Sequence, residues 1–271
     1  EAGDYFLAAG DYSDAAAQAN ECIYAPAKAA LDAGDYAAAA NLFAKIPAYE
    51  DSAALYQQAA YQVAVTAVKD QEYDRALSLL ATLPEGYENV FDLKLECVYQ
   101  PGLTALKNGN YTAAIAAFAQ ITNYQDSADR LQAAQYGHAG ELADAQDFDG
   151  AIALYTELGS YSDSETQLSR ALYRKASALL AEKKWTEAAE IFSGLTDYSD
   201  SAEQYRACVY GQASDTLEAG DLDGALTLFT QLGAYADAAD QAKECSYRKA
   251  AKLAADGLGE DAAKLYASVG D

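Results

Sequence analysis

Methionine is absent from this 271-residue chain, even from its first position, and histidine and tryptophan occur once each. Translation begins with methionine, so Glu1 is expected to be an internal or processed start within a longer parent. Basic residues are scarce: 18 Lys and Arg stand against 42 Asp and Glu, a formal net charge of −24. Such a chain repels phosphate backbones, because nucleic-acid affinity comes largely from counterions released by Lys and Arg. Anionic lipid surfaces are disfavoured for the same reason, and a charged partner is expected to be basic. No apolar run reaches the ~18 residues of a membrane span, and no signal peptide is visible at the start. Neither nucleic-acid binding nor direct membrane insertion is expected. The acids are scattered along the chain, which fits a solvated folded surface better than a disordered tail.

Tyrosine, by contrast, is abundant and periodic. Tyr24, Tyr61, Tyr99, Tyr136, Tyr173, Tyr210 and Tyr247 follow one another at 37, 38, 37, 37, 37 and 37 residues. A second series, Tyr12, Tyr49, Tyr87, Tyr124, Tyr161, Tyr198 and Tyr235, keeps the same beat. A period in this range marks a stacked-repeat architecture. Repeats contact only their neighbours, so residues 1–271 are read as a single repeat domain that opens in mid-repeat. Phe6 to Asp14 already matches Phe43 to Asp51.

Each unit reads as two helices. Asp51-Ser52 precedes a run free of Gly and Pro to Lys69, and Asp14, Asp126-Ser127, Asp163-Ser164, Asp200-Ser201 and Asp237 recur in register. Asp and Ser at these points predict side-chain N-caps for a helix of roughly 18 residues. Turns such as Gly34-Asp35-Tyr36, Gly109-Asn110-Tyr111 and Gly220-Asp221-Leu222 follow, with Gly supplying the left-handed C-cap. A shorter helix, such as Tyr36 to Ile46, completes the unit. It carries an unbroken alanine column, Ala2, Ala39, Ala76, Ala114, Ala151, Ala188, Ala225 and Ala262. Four residues beyond each stands a large residue: Phe6, Phe43, Leu80, Phe118, Tyr155, Phe192, Phe229 and Tyr266. In the long helix each first-series tyrosine is followed at i+3 by Ala27, Ala64, Gly102, Ala139, Ala176, Ala213 or Ala250. Small residues flanked by large ones on one face let neighbouring helices approach closely. Pro26 and Pro101 lie inside long helices, where a lost i→i−4 bond predicts kinks. One extra residue falls in the Pro84-Glu85-Gly86 loop, where Asn89-Val90 replaces Asp-Ser.

Gly34-Asp35-Tyr36 with Ala39 and Phe43 resembles the second half of a tetratricopeptide repeat. The pattern recurs at Tyr73-Ala76-Leu80, Tyr111-Ala114-Phe118, Phe148-Ala151-Tyr155, Trp185-Ala188-Phe192 and Leu222-Ala225-Phe229. The period departs from that family's 34 residues, the family's Trp/Leu-Gly start is replaced by Tyr and Ala, and its terminal Pro survives only as Pro47 and Pro84. The resemblance implies an all-α, right-handed α-solenoid of about seven antiparallel helix pairs. It also implies a non-enzymatic scaffold whose concave face takes a protein or peptide, here a basic one. Similar repeats occur in large bacterial proteins, some tethered to membranes by other segments. The bacterial cytoplasm or cell envelope is therefore the implied setting, and a structural spacer or stalk without a ligand is the alternative function.

Few residues carry chemistry. Cys22, Cys97, Cys208 and Cys245 share a column with Ala59, Ala134 and Ala171, which predicts small buried sites holding free thiols too far apart to bridge. His138 sits in a variable column with no nucleophile in the pattern and is read as surface decoration; Trp185 occupies a core aromatic column. Asp147-Phe148-Asp149-Gly150 and Asp221-Leu222-Asp223-Gly224 hold part of a calcium-loop pattern but lack its further ligands. They are read as turn and helix start, and no cofactor or catalytic residue is expected. Tyr61, Tyr99, Tyr136, Tyr173 and Tyr210 remain the candidate peptide-binding residues. A core ladder with hydroxyls at the rim and an aromatic groove floor both stay open for them.

Overall fold

The computed structural model describes residues 2–8, 12, 14–195 and 197–269, without the side chains of residues 2, 3, 7 and 269. The expected Ala2 member of the alanine column lies outside the described side chains. Among the described residues the chain is all-α, with fifteen helices and no strand. After α1 (Ala2–Ala8) come seven long helices: α2 (Ala15–Asp32), α4 (Ser52–Lys69), α6 (Val90–Lys107), α8 (Ser127–Asp144), α10 (Ser164–Ala181), α12 (Ser201–Glu218) and α14 (Ala238–Ala255). Each is 18 residues long. Short helices follow each of them: α3 (Tyr36–Phe43), α5 (Tyr73–Leu80), α7 (Tyr111–Phe118), α9 (Phe148–Leu158), α11 (Trp185–Gly194), α13 (Leu222–Leu232) and α15 (Gly259–Val269). Two compact units are distinguished, Glu1–Gln135 and Tyr136–Asp271, the division falling inside α8. Within each unit, consecutive helices pack on one another, the local arrangement of an all-α helical repeat.

The alanine columns are the contact surfaces. Ala39, Ala76, Ala114, Ala151, Ala188 and Ala225 are wholly buried, as are Ala27, Ala64, Ala139, Ala176, Ala213 and Ala250. Against them sit Phe43, Leu80, Phe118, Phe192 and Phe229, all shut off from solvent. Burial of one such side chain contributes roughly 1.5–3 kcal/mol. At Gly102, the one glycine in the column, an added Cβ would lie 3.0 Å from both Ala117 Cβ and Phe118 Cε1. Glycine there lets α7 approach α6 more closely than an alanine would.

The short-helix caps form as the residue types demand. Asp35, Asn110, Asp147 and Asp221 accept from the backbone N–H three residues on. The long-helix caps do not. Asp51, Asp163, Asp200 and Asp237 occupy the N-cap position but make no side-chain cap hydrogen bond. Their ψ angles of 16–27° differ from the extended ψ of 72–85° at the capping short-helix residues. The carboxylate is thereby turned off the helix end and toward the preceding long helix. Just before this position the chain adopts a left-handed conformation on ordinary residues: Glu50, Glu88, Gln125, Ser162, Ser199 and Ala236 all have φ between 44° and 54°. Helices α2 and α6 run on through Pro26 and Pro101.

Candidate functional site

The first-series tyrosines use the carboxylates that leave the helix ends. Tyr24, Tyr99, Tyr173 and Tyr210 each donate from Oη to Oδ1 of the aspartate 27 residues ahead, Asp51, Asp126, Asp200 and Asp237, at 2.5 Å. Tyr136 does the same to Asp163. Each bond ties one long helix to the start of the next. The other carboxylate oxygen is held from its own helix, Gln167, Gln204 and Gln241 donating to Asp163, Asp200 and Asp237, and Arg130 to Asp126. The tyrosine hydroxyl holds the Asp126, Asp163, Asp200 and Asp237 carboxyls below their ordinary range. The same bonds push Tyr24 and Tyr136 up to about 12 and raise Tyr99, Tyr173 and Tyr210.

Among the five candidate residues Tyr61 is the exception. The inserted residue before α6 puts Asn89 at the N-cap, and the Tyr61 hydroxyl makes no hydrogen bond among the described residues. Its ring still meets Tyr87 edge-on at 5.7 Å. The other candidate rings sit between two aromatic neighbours. Tyr99 lies 5.9 Å from Phe118 and 5.6 Å from Tyr124, Tyr173 lies 5.6 Å from Phe192 and from Tyr198, and Tyr136 and Tyr210 repeat the arrangement. Tyr99 is buried, while Tyr61, Tyr136, Tyr173 and Tyr210 are half-buried. Second-series tyrosines add a reverse tie where an acid stands opposite, Tyr49 to Glu21 at 2.9 Å and Tyr124 to Glu96 at 2.7 Å.

The calcium-like turns carry structural bonds. Asp147 and Asp221 cap α9 and α13, while Asp149 and Asp223 pair with Lys175 and Lys249 of the following long helix. Among the described residues no three His, Cys, Asp or Glu converge in a way that could hold a metal ion, and no helix is long and apolar enough to cross a membrane. The four cysteines are free; Cys97, Cys208 and Cys245 are buried and Cys22 is half-buried. Burial pushes the Cys97 and Cys208 thiols up to about 11, which suppresses the reactive thiolate. His138 is half-buried rather than a surface ornament, with Nδ1 enclosed and unbonded, 3.7 Å from Glu141. Trp185 leaves the core for the neighbouring helix: its Nε1–H donates to Asp215 at 2.6 Å and its ring lies on Gly211. Neither the tyrosine–aspartate tie nor this indole contact is expected from the composition of single columns. The constant offset of 27 between the Tyr and Asp series is the sequence signal for the first.

No protein-family model matches the chain, and no curated protein is detectably similar to it.

Proposed function

We propose that this chain is a non-enzymatic scaffold of tetratricopeptide-like repeats that binds a basic protein segment. The observation that carries the reading is the recurrence, at one register position, of a half-buried tyrosine ring beside an exposed carboxylate. In residues 136–271 these pairs are Tyr136 with Asp163, Tyr173 with Asp200, and Tyr210 with Asp237. A carboxylate gives a lysine or arginine a charge partner, and an aromatic face next to it adds a cation–π contact. Lys28 over Tyr24 at 5.5 Å and Arg206 over Tyr235 at 5.8 Å are internal examples of the ring contact. The formal net charge of −24 would draw such a segment in and make its binding weaken with salt.

The spacer reading has an observation of its own. Among the described residues the large apolar side chains exposed by half or more between Ala15 and Ala238 reduce to Phe91, the others standing in the first and last repeats. A peptide groove floored by aromatics would present a broader patch. Panning a displayed random-peptide library against the protein at low salt separates the two readings. The scaffold reading expects Lys- and Arg-rich sequences that crosslink beside Asp163, Asp200 and Asp237 and elute with salt. Failure to enrich any sequence, or enrichment of acidic ones, would count against it and favour a spacer.

A further inference from the structure

One repeat breaks the symmetry of the others around a cleft. It lies between α8, α9 and α10 and has a volume of about 230 Å³. Position 155 is Tyr where the equivalent inner positions are Phe43, Leu80, Phe118, Phe192 and Phe229. Tyr155 is 3% exposed, and its hydroxyl lines the cleft without a hydrogen bond among the described residues. Gly140 borders that hydroxyl at ordinary contact distance, and its equivalents are Lys28, Val65, Leu103, Ser177, Ser214 and Ala251. A Cβ there would stand 3.8 Å from Tyr155 Oη. The opposite wall carries Arg170 and Arg174, one turn apart on α10 and therefore on one face.

Arg170 stands in a column that holds Glu21, Glu96 and Glu244 elsewhere. Of the six arginines it is the one that makes no ion pair, hydrogen bond or ring contact among the described residues. Arg174 is held in place, 3.7 Å from Asp144 and with its guanidinium 5.3 Å from the centre of the Phe148 ring. A tyrosine hydroxyl that opens into the cleft without a protein acceptor, beside the exposed Arg170 guanidinium with no carboxylate partner in a chain this acidic, is a site for an anion rather than for another cation.

We infer that this cleft binds a small organic carboxylate, its charge between the Arg170 and Arg174 guanidiniums and one oxygen accepting from Tyr155 Oη–H. The small side chains of Gly137, Gly140 and Ala171 leave an apolar floor for the carbon part of the ligand. A single negative charge suits the site, because Asp144 beside Arg174 and the acidity of the whole chain penalise a dianion. The assignment does not rest on the scaffold reading.

NMR titration of the whole chain with sodium benzoate tests it, following the Arg170 and Arg174 side-chain Nε–H signals and the Tyr155 ring. Benzamide serves as the neutral isostere and inorganic phosphate as the competing oxyanion. Saturable shifts are expected with benzoate and not with benzamide. Binding should be about tenfold weaker in Arg170→Gln, where a charge-assisted bond is lost. It should be about threefold weaker in Tyr155→Phe, which restores the residue of the neighbouring repeats and keeps the core volume. The assignment is overturned by the absence of a saturable shift, by an equal response to benzamide, by unchanged binding in Arg170→Gln, or by phosphate binding more tightly than benzoate.

Discussion

The Tyr210 hydroxyl donates to Oδ1 of Asp237 at 2.5 Å, and Asp237 stands at the first turn of the next long helix. The residue that would be a helix cap is instead the acceptor of its neighbour's side chain. Four further copies of this tie join α2 to α4, α6 to α8, α8 to α10 and α10 to α12.

Acid and alkali should both release the ties. The folded Asp126, Asp163, Asp200 and Asp237 carboxyls lie below their ordinary value because a hydroxyl donates to them. A depressed folded pKa contributes stability that is present above the unfolded value of about 4 and lost as pH falls through the folded value. Tyr24 and Tyr136 are raised to about 12, so their contribution is whole below the unfolded value and is lost as pH rises through 12. Thermal melts across pH should show both limbs. A variant with Phe at positions 99, 136, 173 and 210 should have a flatter acid limb; an unchanged one would contradict the assignment.

Ala151→Leu should destabilise the protein by about 1–3 kcal/mol, because added methylenes in a filled core force neighbours off their rotamers. Ala151 is fully buried with Tyr155 and Ala139 around it. A urea midpoint equal to that of the unsubstituted protein would show that the column tolerates volume.

Gly211→Ala should act through Trp185, since the new Cβ would lie 2.8 Å from three atoms of the indole. A loss of about 1–3 kcal/mol is expected from the overpacking. Trp185 is the single tryptophan, so its emission should also shift to the red as the ring is pushed into water. Stability and emission that both stay constant would mean the ring does not rest on Gly211.

The packing columns were legible from sequence because burial selects residue size, and size repeats visibly. Ala39 to Ala225 and Phe43 to Phe229 mark one helix face, and the structure buries them as expected. The fate of the aspartates was not legible from their type alone. Asp at a helix start suits a cap and an inter-helix acceptor equally, and the backbone angle decides between them. That angle follows from a left-handed residue whose identity varies among Glu, Gln, Ser and Ala, so no residue type announces it. The cleft at Tyr155 has no signature in the sequence, because Gly140 stands in one column and Arg170 in another and only the fold brings them together.

Ala236→Gly tests that left-handed position. Ala236 has φ 47°, where an L side chain costs roughly 1–2 kcal/mol. Glycine removes that cost and adds about 0.5–1 kcal/mol of unfolded-state entropy, so a net gain of about 0.5–1 kcal/mol is expected. A lower melting temperature would contradict the left-handed assignment.

The most direct test of the inter-repeat tie is a double-mutant cycle on Tyr210→Phe and Asp237→Asn, read as urea midpoints with Tyr61→Phe as control. Each single change should lower the midpoint, the double variant should fall little further than either, and Tyr61→Phe, which breaks no such bond, should leave the midpoint near its starting value. Strictly additive losses at 210 and 237, or a Tyr61 effect as large as that of Tyr210, would contradict the account.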